Sequence, residues 1–182
     1  MTRRRVVTGE DERGKAVFVS DERVEEITAA LLPGTSFLRV LAGASTAELP
    51  DDQRTPFSGR AFPLPGEFSF GFVTMAPTGS AEIPADLDLA AAIDEVNEKV
   101  PGFIELFEPD NPGMHTSDTI DCGMVLSGEP ILELDDGETR QLAPGDTYVM
   151  RGTRHRWLNL GDTPVVLVAA AVGVTRFEPL GG

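Results

Sequence analysis

The sequence of 182 residues contains little cysteine, little histidine and half as many basic as acidic residues. The lone cysteine, Cys122, excludes a disulfide within the chain and is typical of a reducing compartment. Lys and Arg number 15 against 30 Asp and Glu, which gives a net charge of −15. A surface of this charge repels a phosphate backbone, and the basic run Arg3 to Arg5 is too short to reverse that. We therefore expect no nucleic acid partner.

The sequence also lacks a long apolar run. No stretch approaches the roughly 20 apolar residues that a membrane-spanning helix needs. The basic N-terminus is not followed by the apolar core of a signal peptide. We therefore expect a cytoplasmic protein with no membrane partner.

Turn-forming residues are abundant, with 19 Gly and 14 Pro, and they separate short runs rich in β-branched residues. From Met114 onward the pattern is almost entirely β. Several short strands at close and even spacing predict an antiparallel sandwich or barrel. The predicted strands are 117–126, 130–135, 138–142, 146–150, 154–159 and 164–174.

The first half of the chain is more varied. Residues 5–20 resemble a β-hairpin, and 24–32 fit either a helix or a strand. Residues 43–66 hold four prolines and are predicted as loop. A helix is predicted from Pro84 and Asp86 to Pro101-Gly102, because Leu89, Ile93 and Val96 recur at helical spacing. Further strands are predicted at 36–41, 68–75 and 103–107.

The two histidines, His115 and His155, both lie beside predicted strands. If the strand extends back far enough, alternation places His115, Ser117 and Asp121 on one face. His155 follows 34 residues later, which suits a neighbouring strand of the same barrel. Two imidazoles and a carboxylate suit Zn²⁺ with an open position or Fe²⁺ in a facial triad. The alternative is that the histidines have no shared role.

Residues 113–159 resemble the two signature motifs of the cupin superfamily. The first motif has two histidines, a glutamate and a closing glycine, and the second has Pro-Gly-Asp, a histidine and an asparagine. The matching residues here are His115, Ser117, Asp121 and Gly128, then Pro144-Gly145-Asp146, His155 and Asn159. The N-terminal segment also resembles a subgroup of bacterial and fungal cupins, some of which are called oxidoreductases of secondary metabolism.

This resemblance implies an all-β fold: the cupin double-stranded β-helix, or jelly-roll, as an antiparallel barrel with an N-terminal β arm and one short helix. It implies one cupin domain over residues 1–182. Its parts would be the arm at 1–42, a loop and helix insertion at 43–102, and the barrel core at 103–175. It further implies that His115, Asp121 and His155 bind a divalent metal, which could be Zn, Fe, Mn or Ni. Ser117 stands where cupins have a second histidine.

Further residues are candidates for the substrate pocket, namely Ser117, Tyr148, Arg151, Trp157 and Asn159. Arg151, Arg154 and Arg156 could pair with an anionic substrate, although such residues more often face water. Tyr148 and Trp157 could line the pocket or belong to the core. Cys122 alternates away from Asp121, and we interpret it as a small buried apolar residue.

Two functions follow from these features. The first is a metal-dependent enzyme that oxidises, decarboxylates, isomerises or dehydrates a small organic substrate inside the barrel. Its metal would polarise a carbonyl or enol or would serve dioxygen chemistry. The alternative is a cupin with a degraded metal site that binds a small molecule without turnover. We also expect a homodimer, because an isolated hairpin such as 5–20 is marginal in water and needs a neighbour.

Overall fold

The structure, a computed structural model, describes residues 2–46 and 59–177. Ten strands and one α-helix account for about half of the described residues. The helix α1 spans Leu89–Lys99. The strands are β1 Thr2–Glu10, β2 Ala16–Glu25, β3 Thr35–Ala44, β4 Glu67–Met75, β5 Thr119–Ser127, β6 Ile131–Glu133, β7 Thr139–Gln141, β8 Thr147–Arg151, β9 Arg156–Leu158 and β10 Val165–Gly173.

The strands form two sheets and a separate hairpin, all antiparallel. The larger sheet has the order β3-β4-β10-β5-β8, and the smaller one has the order β7-β6-β9. Strands β1 and β2 pair only with each other and form an N-terminal arm. This arrangement confirms the predicted all-β jelly-roll fold with an N-terminal β arm and one short helix.

Alternation along the strands builds the core between the two sheets. Val125, Val165 and Leu167 from the larger sheet are at most 2% exposed. Leu132 and Trp157 from the smaller sheet pack against this group. Burial of such side chains stabilises the fold by about 1.5–3 kcal/mol each.

A second apolar cluster surrounds α1. The helix begins where the Asp88 carboxylate accepts a hydrogen bond of 3.1 Å from the Ala91 backbone N–H. Val96 and Val100 are almost completely buried, and they pack with Ala29 beside β3. The helix therefore covers one end of the sheet and starts slightly later than the proline at 84 predicts. No helix among residues 2–46 and 59–177 is long and apolar enough to span a membrane.

The predicted strand at 103–107 is wrong. Gly102 adopts a φ of +76°, which turns the chain at the end of α1. Ile104–Leu106 then form a 3-10 helix closed by local backbone hydrogen bonds. Phe103 and Ile104 pack against the cluster around α1, and Phe107 bridges to another strand segment at His115.

The other boundaries in the first half differ only in detail. The segment 24–32 is strand at its start, since β2 reaches Glu25 and Ile27 pairs with Phe37. The predicted loop at 43–66 begins later, because β3 continues to Ala44, and residues 47–58 of that loop lie outside the described residues.

Two leucines, one buried and one exposed, allow a test of the described core. Leu167 is 2% exposed in the centre of β10, whereas Leu160 is 67% exposed in a turn. Leu167→Ala should lower the free energy of unfolding by about 3 kcal/mol because it leaves a cavity. Leu160→Ala should change it by less than about 0.5 kcal/mol. Urea denaturation measures both values, and equal losses in the two variants would contradict the described core.

Candidate functional site

The larger sheet, Trp157 of the smaller sheet and the segments next to α1 line a cavity of about 210 Å³. Its lining is mainly apolar and aromatic. The polar side chains that reach it include His115, His155, Asp121 and Arg39. Representative apolar lining residues are Phe37, Phe62, Phe107, Met150, Trp157 and Leu167.

His115 and His155 are held side by side by the backbone. The His115 N–H donates to the His155 carbonyl at 3.0 Å, and the His155 N–H donates to the His115 carbonyl at 2.9 Å. Residues that exchange both bonds lie directly opposite each other, with their side chains on the same face. The two ring centroids are accordingly 4.3 Å apart.

Each imidazole is fixed by a second backbone contact. Nδ1 of His115 lies 3.1 Å from the Gly113 carbonyl oxygen, and Nδ1 of His155 lies 2.8 Å from that of Thr153. A carbonyl only accepts, so we assign the proton of each neutral ring to Nδ1. Nε2 of each ring is thereby left as an acceptor.

Burial keeps both histidines neutral. Desolvation, followed by the neighbouring His155, lowers the pKa of His115 to about 4. Desolvation also lowers the pKa of His155, against the raising effect of its bond to Thr153. Phe107 and Phe62 pack beside the His115 ring with centroids 4.7 and 5.4 Å away. Both rings are therefore neutral bases at physiological pH.

Asp121 lies on the cavity wall, on the inner face of β5. Burial raises the pKa of its carboxyl to about 6, and the hydrogen bond from Thr119 opposes that rise. The Thr119 hydroxyl donates to Asp121 Oδ2 at 2.9 Å. Since that hydroxyl has one proton, it accepts from the Ser117 hydroxyl, 2.7 Å away. Buried Ser117 thus supports Thr119 behind Asp121.

The structure brings the three predicted metal ligands to one cavity but does not cluster them. Among the described residues, no three His, Cys, Asp or Glu side chains lie close enough together to hold a metal ion. The paired imidazoles, with free Nε2 atoms, have the chemistry of metal ligands. Asp121 is engaged with Thr119 instead. The donor set therefore does not fit a three-residue metal site.

The predicted pocket residues fall into two groups. Tyr148 and Trp157 line the cavity, with ring centroids 5.0 Å apart. Burial, and then the nearby Asp121, raises the pKa of Tyr148. Asn159 is buried elsewhere, where its side-chain amide donates to the carbonyls of Met75 and Thr163. Ser117 lies behind Asp121 and is not among the lining residues.

The arginines of the second motif do not face the cavity. Arg151 points outward from β8 and is exposed. Arg154 makes a two-pronged ion pair with Glu108 at 2.5 and 2.6 Å, and this holds the pKa of Glu108 at about 2. Arg156 pairs in the same way with Glu133. Ion pairs within the protein therefore engage Arg154 and Arg156 in place of the anionic substrate that the sequence left open as a partner.

The prediction that Cys122 is buried is wrong. It alternates away from Asp121 as expected, but it is exposed on the outer face of β5. Sequence reasoning also missed the aromatic lining from Phe37, Phe62 and Phe107. The three lie far apart in the chain, and the signal available for Phe107 was its place just before the first motif.

Comparison with known proteins agrees with this geometry. Residues 103–171 match the family model of the cupin domain. This part of the chain is similar to a cupin domain. It contains both histidines, Asp121 and all of the smaller sheet.

Curated relatives of the cupin domain come from fungi. The chain is 52% identical over 50 residues to "Phomopsin biosynthesis cluster protein C'" of Diaporthe leptostromiformis, a match covering 28% of this chain and 26% of the relative. It is 36% identical over 89 residues to "Cupin-domain-containing oxidoreductase srdD" of Neurospora crassa, covering 43% of this chain and 45% of the relative. The matches thus span less than half of the length of these two relatives.

A solved structure with a similar chain trace is the Cnp3 cupin domain of Schizosaccharomyces pombe. It is 12% identical in sequence, and the superposition covers 93% of this chain and 87% of that one with a TM-score of 0.47.

The raised pKa of Asp121 makes stability depend on pH. Between about pH 4 and pH 6 the folded carboxyl keeps a proton that the unfolded one has lost, so its contribution falls as the pH rises. Asp121→Asn removes this cost. The variant should gain on the order of 1–3 kcal/mol relative to the wild type at pH 7.5 compared with pH 4. Urea denaturation in the presence of a chelator measures the difference.

Asp162→Asn is the matched control, because Asp162 is exposed in a turn. Its stability relative to the wild type should stay the same at both pH values. A relative stability of Asp121→Asn that does not change with pH would show that burial does not perturb this carboxyl.

Proposed function

We propose that the cavity is the active site of an enzyme acting on a small, mainly apolar organic molecule. The proposal rests on the contrast between the few titratable side chains of the cavity wall and the apolar side chains that surround them. Two neutral imidazoles and a carboxyl with a pKa of about 6 lie in a wall of aromatic and aliphatic side chains. Perturbed titratable groups in an apolar cavity are the usual signature of an active site.

Substrate size follows from the cavity volume. About 210 Å³ is less than the roughly 300–1,000 Å³ of pockets that take drug-sized ligands. The rings of Phe107, Phe62 and Trp157 offer flat apolar surfaces to such a molecule. A compact carbonyl or enol compound, cyclic or aromatic, suits this lining.

Asp121 has the role of general acid–base in this proposal. A carboxyl with a pKa of about 6 exists in both protonation states near neutral pH, so it can take a proton from the substrate and return it. Thr119 orients it through the 2.9 Å hydrogen bond. The acceptor Nε2 atoms of His115 and His155 would hold a substrate hydroxyl beside it. Isomerisation and dehydration include such a proton transfer, and a decarboxylation ends with protonation of the carbon that lost CO₂. An oxidation would in addition need an electron acceptor such as dioxygen.

The relatives support an enzyme, because one of them is named an oxidoreductase and another belongs to a biosynthesis cluster. The divalent metal (Zn, Fe, Mn or Ni) stays a prediction. A metal held by His115 and His155 would polarise a substrate oxygen. Since the three predicted ligands do not cluster, the proposed proton transfer is assigned to Asp121 alone.

The second candidate function is binding without turnover. It is favoured by Ser117, which stands at a histidine position of the family motif, and by the absence of a three-residue metal cluster among residues 2–46 and 59–177. In this case the cavity would store or carry a small apolar molecule, and Asp121 would be dispensable for its affinity.

Proton exchange tests the catalytic role of Asp121 without knowledge of the natural substrate. Small cyclic and aromatic ketones are incubated with the protein in D₂O, and NMR follows the loss of the α-proton signals. The wild type should accelerate exchange, and Asp121→Asn should reduce the enzymatic rate by about 10²-fold or more, as loss of a general acid–base does.

Asp162→Asn should exchange at the rate of the wild type, because that carboxyl is exposed outside the cavity. Binding of these ketones without exchange, detected by fluorescence of the single tryptophan Trp157, would favour the binding function instead. Unchanged exchange in Asp121→Asn would refute its assigned role.

Metal binding is tested by the same tryptophan. Trp157 and His155 line one cavity, so Ni²⁺ at the imidazole pair should quench its fluorescence. Two imidazoles without a clustered carboxylate form a weak site, and dialysis against a chelator should restore the signal. His155→Gln should abolish the quenching, whereas Asp162→Asn should leave it unchanged. Metal that survives the chelator at about one equivalent per chain would instead support the tight metal site predicted from the sequence.

A further inference from the structure

A second cleft lies between the N-terminal arm and the larger sheet. It has a volume of about 470 Å³, with residues of β1 and β2 on one side and residues of β3 and β4 on the other. Leu38, Phe70 and Phe72 line both this cleft and the inner cavity, whereas the two histidines and Asp121 line only the inner cavity. The arm residues line only the cleft, so it is a distinct space.

Two arginines of β1 attach the arm to the larger sheet. The Arg3 guanidinium lies over the Phe72 ring, 4.1 Å from its centroid. The Arg5 guanidinium donates to the Val40 carbonyl oxygen at 3.0 Å. Because alternate residues of a strand share a face, both side chains extend from β1 toward the sheet. The arm therefore gives the cleft a cationic side opposite an apolar wall.

Arg3 differs from its neighbours in the chain because it has no anionic partner among residues 2–46 and 59–177. Arg4 pairs with Asp21, and Arg5 pairs with Glu22. The contact of the Arg3 guanidinium is instead the face of an aromatic ring. Its Nε is buried without a hydrogen-bond partner, while Nη1 and Nη2 are not buried. The cleft thus contains one uncompensated positive charge with two terminal nitrogens free to donate.

We propose that this cleft binds a small organic carboxylate through Arg3. The two oxygens of a carboxylate can accept hydrogen bonds from both terminal nitrogens of a guanidinium at once. The rest of the ligand would lie against the apolar wall, where Leu38, Val40 and Phe70 offer aliphatic and aromatic contacts. The volume of about 470 Å³ is within the roughly 300–1,000 Å³ of pockets that take drug-sized molecules.

The charges around the cleft select a monocarboxylate over a phosphate. Glu22 compensates the charge of Arg5, so Arg3 supplies the positive charge that remains for a ligand. A dianion would bring excess negative charge to a chain with a net charge of −15. The apolar wall also gives the further oxygens of a phosphate no hydrogen-bond donors. The site does not depend on the activity proposed for the inner cavity, since Arg3 does not line that cavity.

Calorimetric titration with 2-naphthoate, a flat aromatic monocarboxylate, tests the site. The wild type should bind it, and Arg3→Gln should weaken the affinity by about tenfold or more, because the charge-assisted hydrogen bonds are lost. Arg13→Gln is the matched control, since it removes the same charge from an exposed position in the turn between β1 and β2. It should bind like the wild type. Trp157 fluorescence confirms that each variant is folded.

Arg3→Lys separates recognition of the ligand from attachment of the arm. A lysine keeps a cation over Phe72 but cannot form the planar two-pronged pair, so the affinity should still fall several-fold. The neutral 2-naphthamide and inorganic phosphate should each bind the wild type at least about tenfold more weakly than 2-naphthoate.

Three results would overturn the proposal. One is a wild type that does not bind 2-naphthoate at millimolar concentration. Another is equal affinity in the wild type, Arg3→Gln and Arg3→Lys, which would place the ligand outside this cleft. The third is equal affinity for 2-naphthoate and for either the amide or phosphate, because the site would then not recognise a carboxylate on an apolar body.

Discussion

The site depends on one pair of backbone hydrogen bonds, those that join His115 and His155. They fasten the segment before β5 to the segment before β9, and so they connect the two sheets at the cavity. Because the two residues face each other across a hydrogen-bonded pair, their rings have to share one face. The carbonyls of Gly113 and Thr153 then orient the rings, each from two residues earlier in the chain. Backbone hydrogen bonds therefore determine the positions of both imidazole rings.

Burial shifts the pKa values of the two histidines and of Asp121 in opposite directions, yet both shifts favour the neutral form. It lowers the pKa of each imidazole and raises that of the carboxyl, so all three groups favour their neutral forms. Between about pH 4 and pH 6 the Asp121 carboxyl keeps its proton while the His115 ring is neutral. Above that range Asp121 ionises, and its negative charge is stabilised by Thr119 rather than by a histidine. An uncharged, apolar substrate is compatible with both states.

Much of the fold could be predicted because β5 to β10 follow period two and are separated by turn residues. Motif spacing also placed His115, Asp121 and His155 on one cavity. The features that could not be predicted depend on contacts between residues far apart in the sequence. The segment 103–107 is apolar enough for a strand, yet the chain turns at Gly102 and Ile104–Leu106 form a 3-10 helix. The partner of Arg154 is Glu108, 46 residues away, and sequence spacing does not reveal such a pair.

The exposure of Cys122 follows from an inverted pattern in β5. This strand directs Thr119 and Asp121 into the barrel and Ile120, Cys122 and Met124 outward. The two polar residues are buried on the inner side, where the Thr119 hydroxyl donates a hydrogen bond to the Asp121 carboxylate. The apolar residues face outward although water disfavours them there. The same strand thus directs the hydrogen-bonded Thr119–Asp121 pair toward the cavity and apolar side chains toward the outside of the larger sheet.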